Sequence, residues 1–536
     1  MVRLLMQANA PPLGDFYCCA LKQFYRLEHR LSSDSPLRDK YIAFMKEYIE
    51  LGHMEALGTY NDSNHVYYIP HHAVLDKFRV VFNASAPTSN GVSLNDIQHE
   101  GPTIQNSLND ILFRFRRYAI ALTADVEKMF RQVLVAPEDP DLQRSLWRES
   151  PNENVKIYQL MTVPYGMACS PYNAVRALQQ CAVDNYGVVG DLHQAESARS
   201  EILSSFYVDD FLTSCTIVED TVTLAKNVSL ILSNGCFRLR KWNSNRAAVL
   251  AKIGESFSLH ECNIHLPIAT VLGLRWDPVS DELLFMVSLK QYNEMPTKRR
   301  VLSDVAQLYD PTGFLVPAII SDKVFIQTLW STGISWDTPL PKDLCHIWSK
   351  FRDDLSILDK VRVPRWLSMD ATNRTSLFDF CDASQKAYAA VVYARTIDND
   401  DKAKISLLTA RTKVAPLKGA TIPRLELCGA PLLAKTICNV RKALSLEDTD
   451  GFQYCLELVT QTASDVKAIY CQQDSANTTI HVIRFAALCT FSAESSGLRQ
   501  PWCDSIRIAE SPFMVVEPRL VTSENNPLWP GTEVTS

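Results

Sequence analysis

The chain has 536 residues, of which 46% are hydrophobic and 21% are charged, and this composition excludes wholesale disorder. The length predicts about three domains, and no apolar run approaches the roughly 18 residues that a membrane-spanning helix needs. The net charge is -6, which taken alone argues against a nucleic-acid-binding protein, because phosphate binding usually needs a basic surface.

The cysteines indicate an intracellular protein. The chain has 15 of them without a C-x-x-C pair, whereas zinc modules repeat such short spacings and disulfide scaffolds concentrate cysteines in short chains. The N-terminus has only a brief apolar patch and is a poor secretory signal. We therefore expect reduced thiols, no membrane partner, and a location in the cytoplasm, in a virus-like particle or in the nucleus.

The first half of the chain mixes helical and strand patterns. Ser35-Pro36 is a helix start signal and Gly52 is a stop signal, with apolar residues at helical spacing between them. The elements predicted next are strands at 65–74 and 78–85, a helix at 107–117, a strand at 118–126, a helix at about 171–182, a short strand segment at 204–215 and a helix at 219–235.

The second half changes character near its middle. Residues 236–300 predict short strands with turns, residues 301–360 predict mostly helix, and a domain boundary is expected near 360–375. After about residue 440 the apolar pattern loses its periodicity. The elements predicted beyond the boundary are strands at 376–384, 387–395 and 403–411 and a helix from about Pro423.

Two adjacent aspartates, Asp209 and Asp210, are the strongest chemical signal. They lie in an aromatic and β-branched segment, as expected for a tight turn between two short strands. Neighbouring residues of a regular strand point to opposite faces, so only a turn lets both carboxylates approach one cation. Asp125 ends an earlier apolar strand, and three such carboxylates would form an oxygen-rich site suited to Mg²⁺. An isolated Asp-Asp pair is more often only a polar turn, so the flanking sequence has to decide.

The flanking sequence contains an ordered series of motifs. They are FRVVFNASAPTSNGVSLNDIQHEGP, LTADVEKMFRQVLVAPEDPDLQRSLWR, TVPYGMACSPYNAVRAL, FYVDDFLTS, FRLRKWNSN and LSDVAQLYDPTGFLVPA. This series resembles the reverse transcriptases of BEL/Pao-class long-terminal-repeat retrotransposons, over residues from about 20 to 360. The resemblance implies a right-hand polymerase with fingers, palm, thumb and connection.

The resemblance also implies roles for the aspartates and for an aromatic residue after them. Asp125 and Asp209 would hold two Mg²⁺ ions, or Mn²⁺ in their place, and Asp210 would be the supporting carboxylate. Phe130 falls where the family places an aromatic steric gate, which would clash with a ribonucleotide 2′-hydroxyl. The alternative for Phe130 is a core aromatic after the strand.

Further positions match the family's substrate contacts. Arg79, with Lys77 as a weaker candidate, would grip the incoming triphosphate, although either residue would also suit a solvated strand face. Tyr165 and Gly166 would lie against the template–nucleotide pair, where a small residue permits close backbone approach. The remaining candidates belong to a primer-grip hairpin, with phosphate contacts and a stacking ring, or else to a basic surface strand: Arg238, Arg240, Lys241 and Trp242. The cluster FRFRRY at 113–118 is either a further basic patch or a solvated helix face.

A second carboxylate set follows residue 370. Asp382 ends the first of three strands, and Glu426 lies near the start of the next helix. This order resembles the ribonuclease H domain that follows the polymerase in these elements, where acidic residues hold two metal ions. Asp465 and Asp474 compete as the third carboxylate, and neither fits well. Pro431 inside the helix costs around 3 kcal/mol by removing a backbone hydrogen bond, so an impaired nuclease is expected.

The resulting prediction is a mixed α+β or α/β fragment of a retrotransposon polyprotein. It is expected to be an RNA-directed DNA polymerase that binds an RNA or DNA template with its primer and dNTPs, with its oligomeric state left open. The alternatives are an inactive remnant that only binds nucleic acid, and an aspartic protease, for which no D-[ST]-G motif is found. The expected parts are a helical fingers extension (1–70), fingers and palm (71–245), a thumb/connection-like region (246–370), a partial ribonuclease H-like domain (371–440) and a degenerate or rearranged tail (441–536).

Overall fold

The computed structural model describes residues 1–58, 66–75, 78–255, 268–287, 289, 294–370, 372–446 and 454–458. Its helices are α1 (Tyr17–Ser32), α2 (Ser35–Glu50), α3 (Leu108–Arg117), α4 (Ser170–Asn185), α5 (Leu192–Ser204), α6 (Val218–Ser233), α7 (Ala247–Gly254), α8 (Lys298–Val305), α9 (Val316–Ser331), α10 (Lys342–Asp354) and α11 (Ile422–Leu444). Within these ranges, no helix has the length and apolar character needed to cross a membrane.

The strands form five sheets. Their bounds are β1 (Met54–Ala56), β2 (His71–Val74), β3 (Arg79–Phe82), β4 (Ile120–Val126), β5 (Arg144–Trp147), β6 (Lys156–Leu160), β7 (Phe206–Tyr207), β8 (Asp210–Cys215), β9 (Leu239–Ser244), β10 (Ala269–Val271), β11 (Leu274–Asp277), β12 (Glu282–Leu284), β13 (Arg362–Pro364), β14 (Arg374–Ala383), β15 (Ala387–Ile397), β16 (Ala403–Val414) and β17 (Tyr454–Leu458). The strand orders are β1-β6-β5, β2-β3, β7-β8-β4-β9, β10-β11-β12-β13 and β16-β15-β14-β17.

Helix α2 begins and ends where its sequence signals predict. The Leu37 N–H donates to the Asp34 carboxylate at 3.0 Å, and Pro36 occupies the first turn, where its missing N–H costs nothing. Gly52 has a φ of 69°, which suits glycine just after a helix end. The prediction of a helix here is confirmed.

The sheet β7-β8-β4-β9 carries the three aspartates, and β4 is its central strand. β4 pairs antiparallel with β8 on one side and with β9 on the other. All its residues are buried except Asp125, which lies at the end of the apolar run. A strand covered on both faces therefore delivers one partly exposed carboxylate to the sheet edge.

Two helices were not predicted from the sequence. Residues 236–300 were expected to form short strands, but α7 lies there, because alanines favour helix and Val249 and Ile253 bury one face of it. Helix α5 was also missed, although its start signal is present. The Gln194 N–H donates to the Asp191 carboxylate at 2.8 Å.

The C-terminal sheet confirms the predicted order of three strands and a helix. β14, β15 and β16 are antiparallel neighbours, and β17 pairs parallel with β14. Helix α11 packs on this sheet through Leu433, Val440 and Leu444, which are fully buried. Helix α9 contributes Val316 to a separate apolar cluster with residues of the same sheet.

Pro431 does not interrupt α11, although its missing N–H was expected to destabilise the helix. The helix runs through it from Ile422 to Leu444. Pro431 lies on the exposed side of the helix. The carbonyl that loses its helical hydrogen bond can therefore be hydrated, which lowers the cost.

The arginines of the basic cluster on α3 connect this helix to the C-terminal sheet. The cluster is neither a basic patch nor a solvated helix face, so neither predicted role is correct. Arg116 is only 1% exposed, and its guanidinium donates to the carbonyl oxygens of Leu407 at 2.9 Å and of Pro364 and Arg365 at 3.2 Å. Arg117 donates to the Leu444 carbonyl at 2.9 Å, at the C-terminus of α11, where a cation is favoured. The cluster thus connects α3 to the C-terminal sheet and its helix.

A buried carboxyl on α9 makes stability depend on pH. Asp322 is 0% exposed, its carboxylate oxygens have no hydrogen-bond partner among the described residues, and burial raises its pKa to about 8. The unfolded chain has a pKa of about 4 for this group, so the folded state binds the proton more tightly. Its contribution to stability is therefore present at low pH and is lost as the pH rises from about 4 to about 8.

Replacing Asp322 by asparagine is expected to flatten that pH dependence. Between pH 5 and pH 9, the free energy of unfolding of Asp322→Asn should fall less than that of the wild type, by at least about 2 kcal/mol. Urea unfolding at both pH values measures this difference. The exposed Asp353→Asn is the matched control, and equal pH slopes for Asp322→Asn and the wild type would refute the prediction.

Candidate active site

Asp209 and Asp210 lie at a two-residue turn, as predicted. β7 and β8 are joined by Val208 and Asp209, and Val208 has a φ of 54°. A β-branched residue in this left-handed region costs on the order of 1–3 kcal/mol, so the surrounding contacts must hold it. The Val208 N–H donates to the Gln105 side-chain oxygen at 3.1 Å, and the Val126 N–H donates to the Asp209 carbonyl at 2.9 Å. Gln105 therefore supports the turn, a role that the sequence did not indicate.

The three carboxylates are neighbours. Asp125 on β4 and Asp210 on β8 are directly paired in the antiparallel register, so their side chains lie on the same face. The pKa of Asp210 is raised to about 7, first by burial and then by the charges of Asp209 and Asp125. The pKa of Asp209 is also raised, mainly by burial. The sheet edge is thus a concentrated site of negative charge.

Lys241 and Arg240 on β9 pair with acidic residues on the β4 side of the site. Lys241 Nζ donates to Asp125 Oδ2 at 2.8 Å, and Arg240 Nε lies 2.8 Å from the Glu127 carboxylate. Arg238 is exposed. Of the three basic residues expected to contact phosphate, only Arg238 is free of an acidic partner in this arrangement of the described residues.

Trp242 is not a stacking surface for a base, so that prediction is wrong. Its side chain is 0% exposed and packs near Phe211, with ring centroids 6.4 Å apart. Lys241 has a φ of 55°, and the pairing of β4 with β9 shifts register beside it. Such a bulge breaks the alternation of side chains along the strand. Trp242 therefore points into the core.

Phe130 and Tyr165 form an aromatic pair beside the carboxylates. Their ring centroids are 4.7 Å apart, and Phe130 is 8% exposed. The pKa of Tyr165 is raised, mainly by burial and also by the charges of Asp209 and Asp125, while Arg79 acts in the opposite direction. Tyr165 and the exposed Arg79 of β3 therefore lie at the same site as the aspartates, and Phe130 joins them through its ring contact with Tyr165.

Gly166 lies against the backbone of β3. It has a φ of 105°, and a Cβ atom there would clash with the carbonyl oxygen of Phe82. The Asn95 side chain donates to the Gly166 carbonyl at 3.1 Å and accepts from the Ala168 N–H at 2.9 Å. The small residue thus serves a contact within the chain, and Asn95 is a second supporting residue that the sequence did not reveal.

The chemistry of the donor set fits a divalent cation. Carboxylate oxygens are the ligands that Mg²⁺ prefers, and a cation would stabilise the charged form of Asp210, whose pKa is raised by burial and by the neighbouring carboxylates. As the side chains lie, no group of three acidic, histidine or cysteine residues in the described ranges converges closely enough to hold an ion. Asp125 Oδ2 is instead bound to the Lys241 ammonium. Binding of a metal ion by Asp125 Oδ2 therefore requires this oxygen to release Lys241.

The structure describes two members of the second carboxylate set, Asp382 and Glu426. Asp382 lies near the end of β14, and Glu426 lies near the start of α11. The pKa of Glu426 is raised, mainly by burial and also by the charge of Asp382. Lys77 and the two candidates for a third carboxylate, Asp465 and Asp474, lie outside the described residues.

A protein-family model matches the C-terminal part of the chain. Residues 297–455 match the family model described as "Pao retrotransposon-like RNaseH-like domain". The predicted resemblance to a BEL/Pao-class Pol fragment is confirmed. The Pao-like match begins on the helices before β14 and ends within β17, so it includes Asp382 and Glu426. No curated protein matches the chain.

Two solved structures of reverse transcriptases are similar to this chain. One is a foamy viral protease–reverse transcriptase in complex with double-stranded DNA, with 14% identity, a TM-score of 0.45, and coverage of 77% of this chain and 68% of that chain. Another is a foamy viral protease–reverse transcriptase in complex with an RNA/DNA hybrid, with 12% identity, a TM-score of 0.48, and coverage of 81% and 55%. The chain itself has a mixed α/β fold, and its residues 297–455 match a ribonuclease H-like family.

Proposed function

We propose that the chain is an RNA-directed DNA polymerase in which the sheet β7-β8-β4-β9 is the palm. The observation that carries this proposal is the pairing of Asp125 with Asp210, beside a strained turn that holds Asp209. On this proposal, residues 1–70 extend the fingers, residues 71–245 form the fingers and palm, and residues 246–370 form a thumb and connection. The protein would act inside the cell.

Each residue of the site would have its own role in nucleotidyl transfer. Asp125 and Asp209 would hold two Mg²⁺ ions, with Asp210 as the supporting carboxylate. When bound, these ions activate the primer 3′-hydroxyl and stabilise the pyrophosphate leaving group. Arg79, exposed on β3, would bind the triphosphate. Phe130, backed by Tyr165, would exclude the 2′-hydroxyl of a ribonucleotide.

The net charge of -6 is compatible with this proposal. Part of the negative charge belongs to the carboxylate site itself, where burial and then the neighbouring carboxylates raise the pKa of Asp210. Arg238 is exposed at the edge of the same sheet and suits the primer backbone. Lys241, once released from Asp125, would add a second phosphate contact there.

A chain that binds nucleic acid without catalysis is the second candidate. The contact of Asp125 Oδ2 with Lys241 is the observation that favours it, because this contact occupies one of the two carboxylate oxygens that Asp125 could offer to a metal ion. Primer extension on an RNA template separates the two candidates. The proposal predicts elongation of the primer with dNTPs and Mg²⁺, and binding of the primer-template without elongation would establish the second candidate instead.

The ribonuclease H-like domain is proposed to be inactive or strongly impaired. Asp382 and Glu426 are the members of this carboxylate set that the structure describes, and these two alone would leave a two-metal site incomplete. On an RNA/DNA hybrid with Mg²⁺, the wild type is expected to release RNA fragments no faster than Asp382→Asn. Cleavage by the wild type that Asp382→Asn abolishes would overturn this prediction. Gel analysis of a labelled RNA strand gives the measurement.

A further inference from the structure

The segment that carries Phe130 is a short turn with basic residues on both sides. Lys128 has a φ of 52° and leads into the 3-10 turn Met129–Gln132. Phe130 packs on Tyr165, whereas Arg131 contacts helix α2. A turn of this length has few backbone hydrogen bonds of its own, so side-chain contacts must fix its position.

Arg131 is held as a buried cation. It is 7% exposed, and its Nη1 donates to the Glu47 carboxylate at 2.8 Å. Its guanidinium carbon lies 4.8 Å from the ring centroid of Phe44 and 4.4 Å from that of Tyr48, within the range of cation–π contacts. A carboxylate and two ring faces therefore enclose the charge, which is the arrangement that makes a buried ion tolerable.

Glu47 binds both ends of the turn. Lys128 Nζ donates to the same Glu47 oxygen that accepts from Arg131. Burial raises the pKa of Glu47, but the two cations outweigh it, and the net pKa is lowered. The Glu47 carboxylate on α2 thus holds the residues on both sides of Phe130 in place.

We infer that Glu47 is a positioning residue for the steric gate at Phe130. It fixes Phe130 against Tyr165 by anchoring Lys128 and Arg131 to α2. This inference rests on the proposed polymerase function. Steric exclusion of one hydroxyl requires a ring held to within about 0.5 Å. The N-terminal helix would therefore set the preference for deoxynucleotides, although it supplies no atom to the substrate.

The test is the ratio of kcat/KM for a dNTP to that for the matching rNTP. Glu47→Gln keeps the shape of the side chain and removes its charge, and it is expected to lower the ratio about tenfold, with kcat for the dNTP changed by less than about threefold. Glu50→Gln changes an exposed glutamate on the same helix and should leave the ratio unchanged. Arg131→Lys, which keeps the charge but loses the planar fork, should lower the ratio in the same direction and serves if Glu47→Gln does not fold.

A role through Phe130 also predicts non-additivity. In a Phe130→Ala background, Glu47→Gln should lower the ratio no further, because the ring that it positions is gone. An unchanged ratio in a folded Glu47→Gln or Arg131→Lys variant would overturn the inference while leaving the polymerase proposal intact. Wild-type protein that incorporates no dNTP would instead overturn the polymerase proposal itself.

Discussion

Replacing Asp125 by asparagine is expected to reduce nucleotide incorporation at least about a thousandfold. Asp125 lies beside Asp210 in the β4–β8 register, at the point where the proposal puts the metal ions. A neutral amide there removes one of the charges that hold the cations. The fold should survive, because the substitution also reduces the like-charge repulsion on Asp210, whose pKa is raised first by burial and then by Asp209 and Asp125.

Single-turnover primer extension measures this effect, with binding of the primer-template measured in parallel. Asp353→Asn, an exposed aspartate on α10, is the matched control and should extend like the wild type. Retention of more than about a tenth of wild-type incorporation by Asp125→Asn would contradict the assignment of this residue as a metal ligand.

The second large effect is expected on the free energy of unfolding. Arg116→Met should lower the free energy of unfolding by about 3 kcal/mol, because the buried carbonyls of Pro364, Arg365 and Leu407 lose their donor. The pKa of Arg116 is lowered to about 9, mainly by burial and also by Arg365, so removing its charge offsets part of the loss. Methionine fills most of the vacated space.

Urea unfolding at neutral pH tests this prediction. Arg38→Met changes an exposed arginine of α2 and is expected to alter the free energy of unfolding by less than about 0.5 kcal/mol. A stability of Arg116→Met equal to that of the wild type would show that the joint between α3 and the C-terminal sheet contributes little.

The sequence was sufficient to predict those features that depend on residues close together in the chain. The turn at Asp209, the strand that delivers Asp125 and the strand order before Glu426 all follow from local periodicity and turn chemistry. The positions of Asp382 and Glu426 in the fold could likewise be predicted, because β14 and α11 begin and end near local signals.

Features that depend on distant contacts were missed or misjudged. Gln105 and Asn95 act through side-chain hydrogen bonds to residues that lie 103 and 71 positions away, and no local pattern marks such pairs. Trp242 was given a stacking role because its motif resembles the family's primer grip, whereas its side chain is buried beside Lys241, which has a left-handed conformation. Arg116 looked solvated because its burial depends on the packing of the C-terminal sheet against α3.

Incorporation of a single dNTP opposite an RNA template by the wild-type chain tests the central claim most directly. With a labelled DNA primer and each of the four dNTPs in turn, the account predicts extension by one nucleotide only with the complementary dNTP. It also predicts that the reaction stops when EDTA removes Mg²⁺ and resumes when Mg²⁺ is restored. A chain that binds the primer-template but extends it with none of the four dNTPs would contradict the account.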